Sequence, residues 1–126
     1  MRKKIITLVV AAALAGATAP ALGDASVRDG KVGLSVKGTK LKVRSVSGWM
    51  DGHGTGVKAR LYTVRSGVRT DLTRWKDATP RSYGMTQLSD VNWDWNRKPK
   101  KFGNGTLLCI EFNKAINDNP CARIHS

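Results

Sequence analysis

Two cysteines, Cys109 and Cys121, stand twelve positions apart near the carboxyl end, and the chain has no others. The first lies inside Gly105-Thr106-Leu107-Leu108-Cys109-Ile110-Glu111-Phe112, the most strand-like run in the sequence. Leu108, Ile110 and Phe112 share one face at period two, which suits a half-buried strand. Asn117-Asp118-Asn119-Pro120 supplies turn residues just before Cys121. A strand, a turn and a return strand closed by a Cys109–Cys121 disulfide meets both patterns. Such a bridge belongs to an oxidising compartment, because cytosolic thiols are kept reduced. Closing a loop of this size contributes about 3 kcal/mol by restricting the unfolded chain.

The amino terminus agrees with export. Met1-Arg2-Lys3-Lys4 is a short basic start, and Ile5 to Ala15 is an apolar stretch of eleven residues. That is too short to span a bilayer, which needs roughly 20. Ala21-Leu22-Gly23 has the small-x-small form of a cleavage site. Residues 1–23 therefore read as a secretory signal peptide cut after Gly23, with no lipobox cysteine. Residues 24–126 are the length of one domain, and the expected location is secreted and extracellular. Loss of Arg2, Lys3 and Lys4 lowers the net charge from +13 to +10. The remaining charge is strongly basic and spread along the chain, so an anionic partner is expected.

Alternation continues through the mature chain. Asp24 to Gly30 is polar and reads as a loose lead-in. Val32, Leu34 and Val36 alternate with polar residues, then Leu41 and Val43 do the same. A turn at Gly38-Thr39 would pair Val36 with Leu41 and Leu34 with Val43. Past Arg44 the apolar character moves to Val46 and Trp49, which predicts a bulge near Arg44-Ser45. Val57, Ala59, Leu61 and Thr63 begin a second hairpin. It turns at Ser66-Gly67 and pairs Leu61 with Leu72 and Thr63 with Thr70, leaving Tyr62 and Val64 on the opposite face. Pro80 ends it, since proline cannot donate to a ladder. The stretch from Arg81 to Leu88 fits a short edge strand. Val91, Trp93 and Trp95 mark a strand with an aromatic face, followed by the basic loop Arg97-Lys98-Pro99-Lys100-Lys101. Ala122 to His125 completes the sheet. Seven or eight short strands, turn signals every eight to twelve residues and no helical period predict an all-β chain. The architecture is an antiparallel β-sandwich, Ig-like or jelly-roll-like, with one disulfide. A small closed barrel is the alternative.

Candidate chemistry is sparse. Asp51-Gly52-His53-Gly54-Thr55-Gly56 resembles the His-Gly-Thr-His motif of subtilisin-like proteases, but Gly56 occupies the catalytic histidine's place and the chain is too short for that fold. As a metal loop it offers only Asp51 and His53, short of the usual three or four ligands. No cofactor or metal is expected. His53 and His125 are the only histidines and Glu111 the only glutamate. Together with an arginine they would suit a small nuclease-like hydrolase. The fuller signal is aromatic and basic. Trp93 and Trp95 offer rings for stacking, and Arg97, Lys98, Lys100 and Lys101 follow directly. Lys37, Lys40 and Lys42 add charge at the first hairpin, whose lysines also protect exposed edges.

With its Ala-rich leader, about a hundred mature residues, alternating strands and a late cysteine pair, the whole chain resembles the small exported hypothetical proteins of high-GC Gram-positive bacteria. That likeness implies export and assigns no activity or site residue. The expected function is a non-enzymatic binding module. Its partner would be an anionic polymer such as cell-wall teichoic acid, an acidic polysaccharide or extracellular nucleic acid. The alternatives are the small secreted hydrolase using His53 or His125, and a secreted protein–protein interaction or inhibitor module. The chain lacks a reactive-site loop held between two disulfides.

Overall fold

The computed structural model describes residues 25–52 and 54–126. The signal-peptide reading of residues 1–23, its cleavage point and any role for His53 fall outside the described residues. Everything described is strand, turn or loop, in eleven strands. They are β1 (Ala25–Asp29), β2 (Val32–Thr39), β3 (Lys42–Asp51), β4 (Lys58–Arg65), β5 (Val68–Asp71), β6 (Lys76–Asp77), β7 (Thr79–Tyr83), β8 (Thr86–Asp94), β9 (Lys100–Lys101), β10 (Leu107–Phe112) and β11 (Cys121–Arg123). One antiparallel sheet runs β1-β2-β3-β8-β7, with β9 pairing β3 beyond the end of β8. The other runs β11-β10-β4-β5, with β6 pairing β4.

The two sheets face each other because each strand buries alternate side chains. Val32, Leu34 and Val36 of β2, Val43, Val46 and Met50 of β3, and Val91 and Trp93 of β8 share one core cluster with Ala59 and Leu61 of β4 and with Leu108, Ile110 and Phe112 of β10. The layers approach closely at Gly48, where a Cβ would lie 2.1 Å from Ile110 Cδ1. Gly48 therefore points inward, and its neighbours Ser47 and Trp49 point out from the first sheet. Cys109 sits directly opposite Cys121 in the β10–β11 pair and is bonded to it. The bridge lies on the outer side of the second sheet with Tyr62, against which Val64 and Leu107 pack.

The second hairpin follows the sequence reading. Thr63 faces Thr70, Leu72 N donates to Leu61 O at 2.9 Å, and the turn falls at Ser66-Gly67. Both turn residues have positive φ, 52° and 79°, the two-residue geometry that matches strand twist. The first hairpin departs from its reading. Val36 pairs with Val46 and Leu34 with Gly48, and the turn is Lys40-Leu41 rather than Gly38-Thr39. Beside the turn the pairing moves by four positions, an even number that keeps every side chain on its face, so alternation alone leaves such a slip open; the bulge adds the fifth position that takes Val36 from Leu41 to Val46. Gly38 is a bulge residue: a Cβ there would meet Lys42 O at 2.1 Å. The register steps from Lys37↔Ser45 to Gly38↔Val43, leaving Arg44 as the extra residue. That is where the change of face placed a bulge, and it lets Val43 and Val46 both face the core.

Three further segments differ. Residues 25–29 form an edge strand whose Val27 is buried, not a loose lead-in, because one inward side chain and backbone pairing to β2 suffice at an edge. Lys76-Asp77 pairs β4, after which the chain crosses to the other sheet at Ala78 and carries Pro80 on the edge strand β7. Lys100 and Lys101, expected in a loop, are paired to β3.

Candidate functional site

The pairing of β9 with β3 assembles a basic end on the first sheet. Lys101 lies directly opposite Lys42, and Lys100 opposite Val43. Directly opposed side chains in an antiparallel pair share a face with Cβ atoms about 5 Å apart. Val43 points to the core, so Lys42 and Lys101 project together from the outer face. Lys40 occupies the adjoining turn at φ 55°, a conformation that favours glycine. Lys37 borders the bulge, Arg44 is the bulged residue, and Arg97 and Lys98 lie on the loop between β8 and β9. All eight cations are exposed.

This end is tied down. Trp95 N donates to Arg44 O at 2.8 Å, Phe102 N donates to Leu41 O at 3.0 Å, and Lys98 N closes a turn on Trp95 O at 3.1 Å. Asp94 Oδ1 accepts from Asn96 N at 2.9 Å and from Asn96 Nδ2 at 2.7 Å. The backbone N–H of Asn96 and then its amide hold the Asp94 carboxyl below the usual aspartate range. Among the described residues, no ion pair involves any of the eight cations. The ion pairs lie elsewhere: Arg28–Asp51, Lys58–Asp77, Arg81–Asp90, and the Arg60, Arg69, Asp71 and Glu111 group.

Of the two tryptophans expected beside these lysines, Trp95 is there and Trp93 is not. Trp93 is 8% exposed and belongs to the core, so it offers no stacking surface. Its parity is that of Val91, and a two-layer core takes large rings to fill its thickness. Trp95 lies past the end of β8, half-buried against the core, with Lys100 Nζ 5.2 Å from its ring centroid.

Trp49, which the sequence showed only as a slip in a pattern, lies on the outer face of the first sheet. It is opposite Gly33, where a Cβ would come within 2.1 Å of Trp49 Cε2 and Cζ2. The indole therefore rests on the Gly33 backbone and leaves its other side partly open. Across from it on β8 is Asp90, whose Oδ2 accepts from Arg81 Nε at 2.8 Å and whose Oδ1 is buried with no hydrogen-bond partner. The next outward row is Ser26, Ser35, Ser47 and Asn92, with Ser47 Oγ donating to Asn92 Oδ1 at 2.8 Å. The row after that is Lys37, Ser45 and Asp94.

The acid–base set fares less well. Glu111 is held on the outer side of the second sheet by Arg60 Nε at 2.6 Å and Arg69 Nη2 at 2.5 Å. Burial alone would raise its pKa. The hydrogen bonds from Arg69 and Arg60 outweigh that and hold it below the ordinary glutamate value. An ionised, doubly clamped carboxylate is a poor general acid. His125 lies exposed near the carboxyl end with its Nδ1 3.3 Å from Ser126 O. Asp51 of the glycine-rich loop is paired with Arg28, and the open pocket beside it, about 300 Å³, is lined by Lys31, Thr55 and Lys114. The exposed large apolar side chains are scattered: Val68 opens β5, Trp75 precedes β6 with Arg60 over its ring, Tyr83 and Met85 flank the β7–β8 turn, and Ile116 follows β10. Among the described residues no group of three or more His, Cys, Asp or Glu gathers as a metal site, and no helix is long and apolar enough to cross a membrane. Compared with protein-family models, curated proteins and solved structures, the chain matches none of them.

Proposed function

We propose that the protein is an exported, non-enzymatic binding module whose basic sheet end holds an anionic polymer. The observation that carries this is the Lys42–Lys101 pair. Two lysine-rich segments some sixty positions apart are brought into direct cross-strand opposition, with Lys37, Lys40, Arg44, Arg97, Lys98 and Lys100 around them. Like charges directly opposed destabilise a sheet, and among the described residues no carboxylate forms an ion pair with Lys42 or Lys101. A polyanion laid across the end would. The disulfide fits an extracellular setting.

The test is salt-dependent binding of a charge-dense probe such as inorganic polyphosphate, followed by fluorescence anisotropy. Affinity should fall linearly on logarithmic axes as sodium chloride rises, because bound counterions are released. Lys42→Glu with Lys101→Glu should reduce both the affinity and the slope. Binding that is indifferent to salt or to this double reversal would remove the basis of the reading.

A further inference from the structure

We infer that the outer face of the first sheet, from Trp49 to the Lys42–Lys101 pair, is a binding strip for an acidic polysaccharide. The inference rests on the polyanion reading above and names its ligand class. A sugar ring presents two kinds of surface, a flat C–H face and an equatorial belt of hydroxyls. The first is matched by a ring lying parallel to a sheet. The second is matched by short polar side chains that reach hydroxyls without standing between them and the sheet. Both are present in adjacent rows.

Trp49 lies on Gly33 because glycine alone lets the indole settle there. Along β3 the outward residues after Trp49 are Ser47 and Ser45, flanked by Ser35 on β2 and Asn92 on β8. The strip is smooth, since none of these side chains is long. Beside the plate, Asp90 Oδ1 is short of a donor. A buried acceptor without a partner is uncommon, and a ligand hydroxyl would satisfy it once the half-exposed Arg81 side chain shifted. At the far end the strip meets Lys37, Lys42 and Lys101, where the uronate or phosphate groups of a charged glycan would lie. The one carboxylate on that stretch, Asp94, is folded onto Asn96. Trp49 and Lys42 are seven positions apart on β3, roughly 23 Å at about 3.3 Å per residue, the reach of a short oligosaccharide.

A single-stranded nucleic acid is the less suitable occupant. Sequence-independent binding of bases uses several successive rings, and along the strip from Trp49 to the lysines there is one, since Trp93 is in the core and Tyr83 lies beyond Trp49 at the end away from the lysines.

The experiment compares oligogalacturonate, polyphosphate of equal charge and single-stranded DNA by calorimetry and tryptophan fluorescence. Oligogalacturonate should bind tighter than polyphosphate and shift the emission. Trp49→Ala should weaken oligogalacturonate by about tenfold or more, the usual worth of a stacked ring, and leave polyphosphate unchanged. Trp49→Phe, which still covers Gly33, should retain most of the affinity. Ser47→Phe, a change on the outer face away from the core and the lysines, should block oligogalacturonate alone and so guards against a Trp49→Ala variant that misfolds. If Trp49→Ala and Ser47→Phe bind oligogalacturonate as the native protein does, the glycan assignment is wrong, and loss of binding on lysine reversal would then leave the polyanion reading intact. Tighter, Trp49-dependent binding of the DNA would also overturn the assignment. Lysine reversals without effect on any polymer would overturn the polyanion reading itself.

Discussion

Replacing Lys101 with glutamate should make the protein more stable while weakening the proposed polyanion binding. Lys101 and Lys42 are exposed and directly opposed on the outer face. With their ammonium groups about 7 Å apart in water, the repulsion is about 0.6 kcal/mol unscreened. A Debye length of about 8 Å at physiological salt reduces it to about 0.25 kcal/mol. Reversing one charge turns that repulsion into an attraction of similar size, a swing of about 0.5 kcal/mol before the neighbouring lysines are counted. For a domain of this size the midpoint of thermal unfolding should rise by about 2–4 °C. Scanning calorimetry in low salt, in 0.15 M and in 1 M sodium chloride checks this, with Lys101→Gln expected to show about half the gain. The gain should fade in 1 M salt, where the Debye length is about 3 Å. If Lys101→Glu is no more stable than the native protein in low salt, or keeps its gain in 1 M, the two lysines do not repel as described.

Three other perturbations follow from the same structure. Glu111→Gln leaves Arg60 and Arg69 without their shared carboxylate, whose side chain is only 13% exposed. It should cost about 1.5–2 kcal/mol by urea unfolding at pH 7, at the lower end for Arg69's greater exposure. The Glu111 pKa is lower folded than unfolded. Its contribution is therefore complete above the ordinary value of 4.5 and is lost as pH falls through the folded value, so Glu111→Gln should flatten the acid limb of stability below about pH 4.5. Reducing the Cys109–Cys121 bridge, or replacing both cysteines with serine, should lower stability by about 3 kcal/mol. Gly48→Ala should cost about 1–3 kcal/mol by forcing Ile110 aside, and adding Ile110→Val, which removes the clashing Cδ1, should recover part of it in a double-mutant cycle.

What could be read from the sequence depended on whether a local signal had one structural meaning. Ser66-Gly67 did, because two successive residues with positive φ are a hairpin turn, and the Thr63–Thr70 register followed. The strand around Leu108, Ile110 and Phe112 was legible because its inner face is continuous and its cysteine required a partner. Gly38 had two meanings, turn or bulge, and only the approach of Lys42 O selects the second. The aromatic run at 91–95 also read two ways, since the parity that makes a shared face does not say which side of the sheet it is; the core claimed Trp93. Trp49 was legible as an outward ring only once Gly48 was seen to point at Ile110 and Gly33 to lie beneath the indole.

The lysines were visible as charge but not as a pair, because a two-residue strand such as β9 has no periodicity of its own. Its pairing follows from tertiary constraint, with Trp95 and Phe102 tied to Arg44 and Leu41 on either side. Local costs then converge at this one end of a well-packed sandwich. A lysine takes a turn position suited to glycine, an arginine is bulged from β3, and two lysines oppose each other across strands. Each is individually tolerable. A sequence under no demand but folding would have removed them cheaply, with glycine or asparagine at 40 and one carboxylate at 42 or 101. Their occurrence together at one end is the ground on which the proposed polyanion site rests.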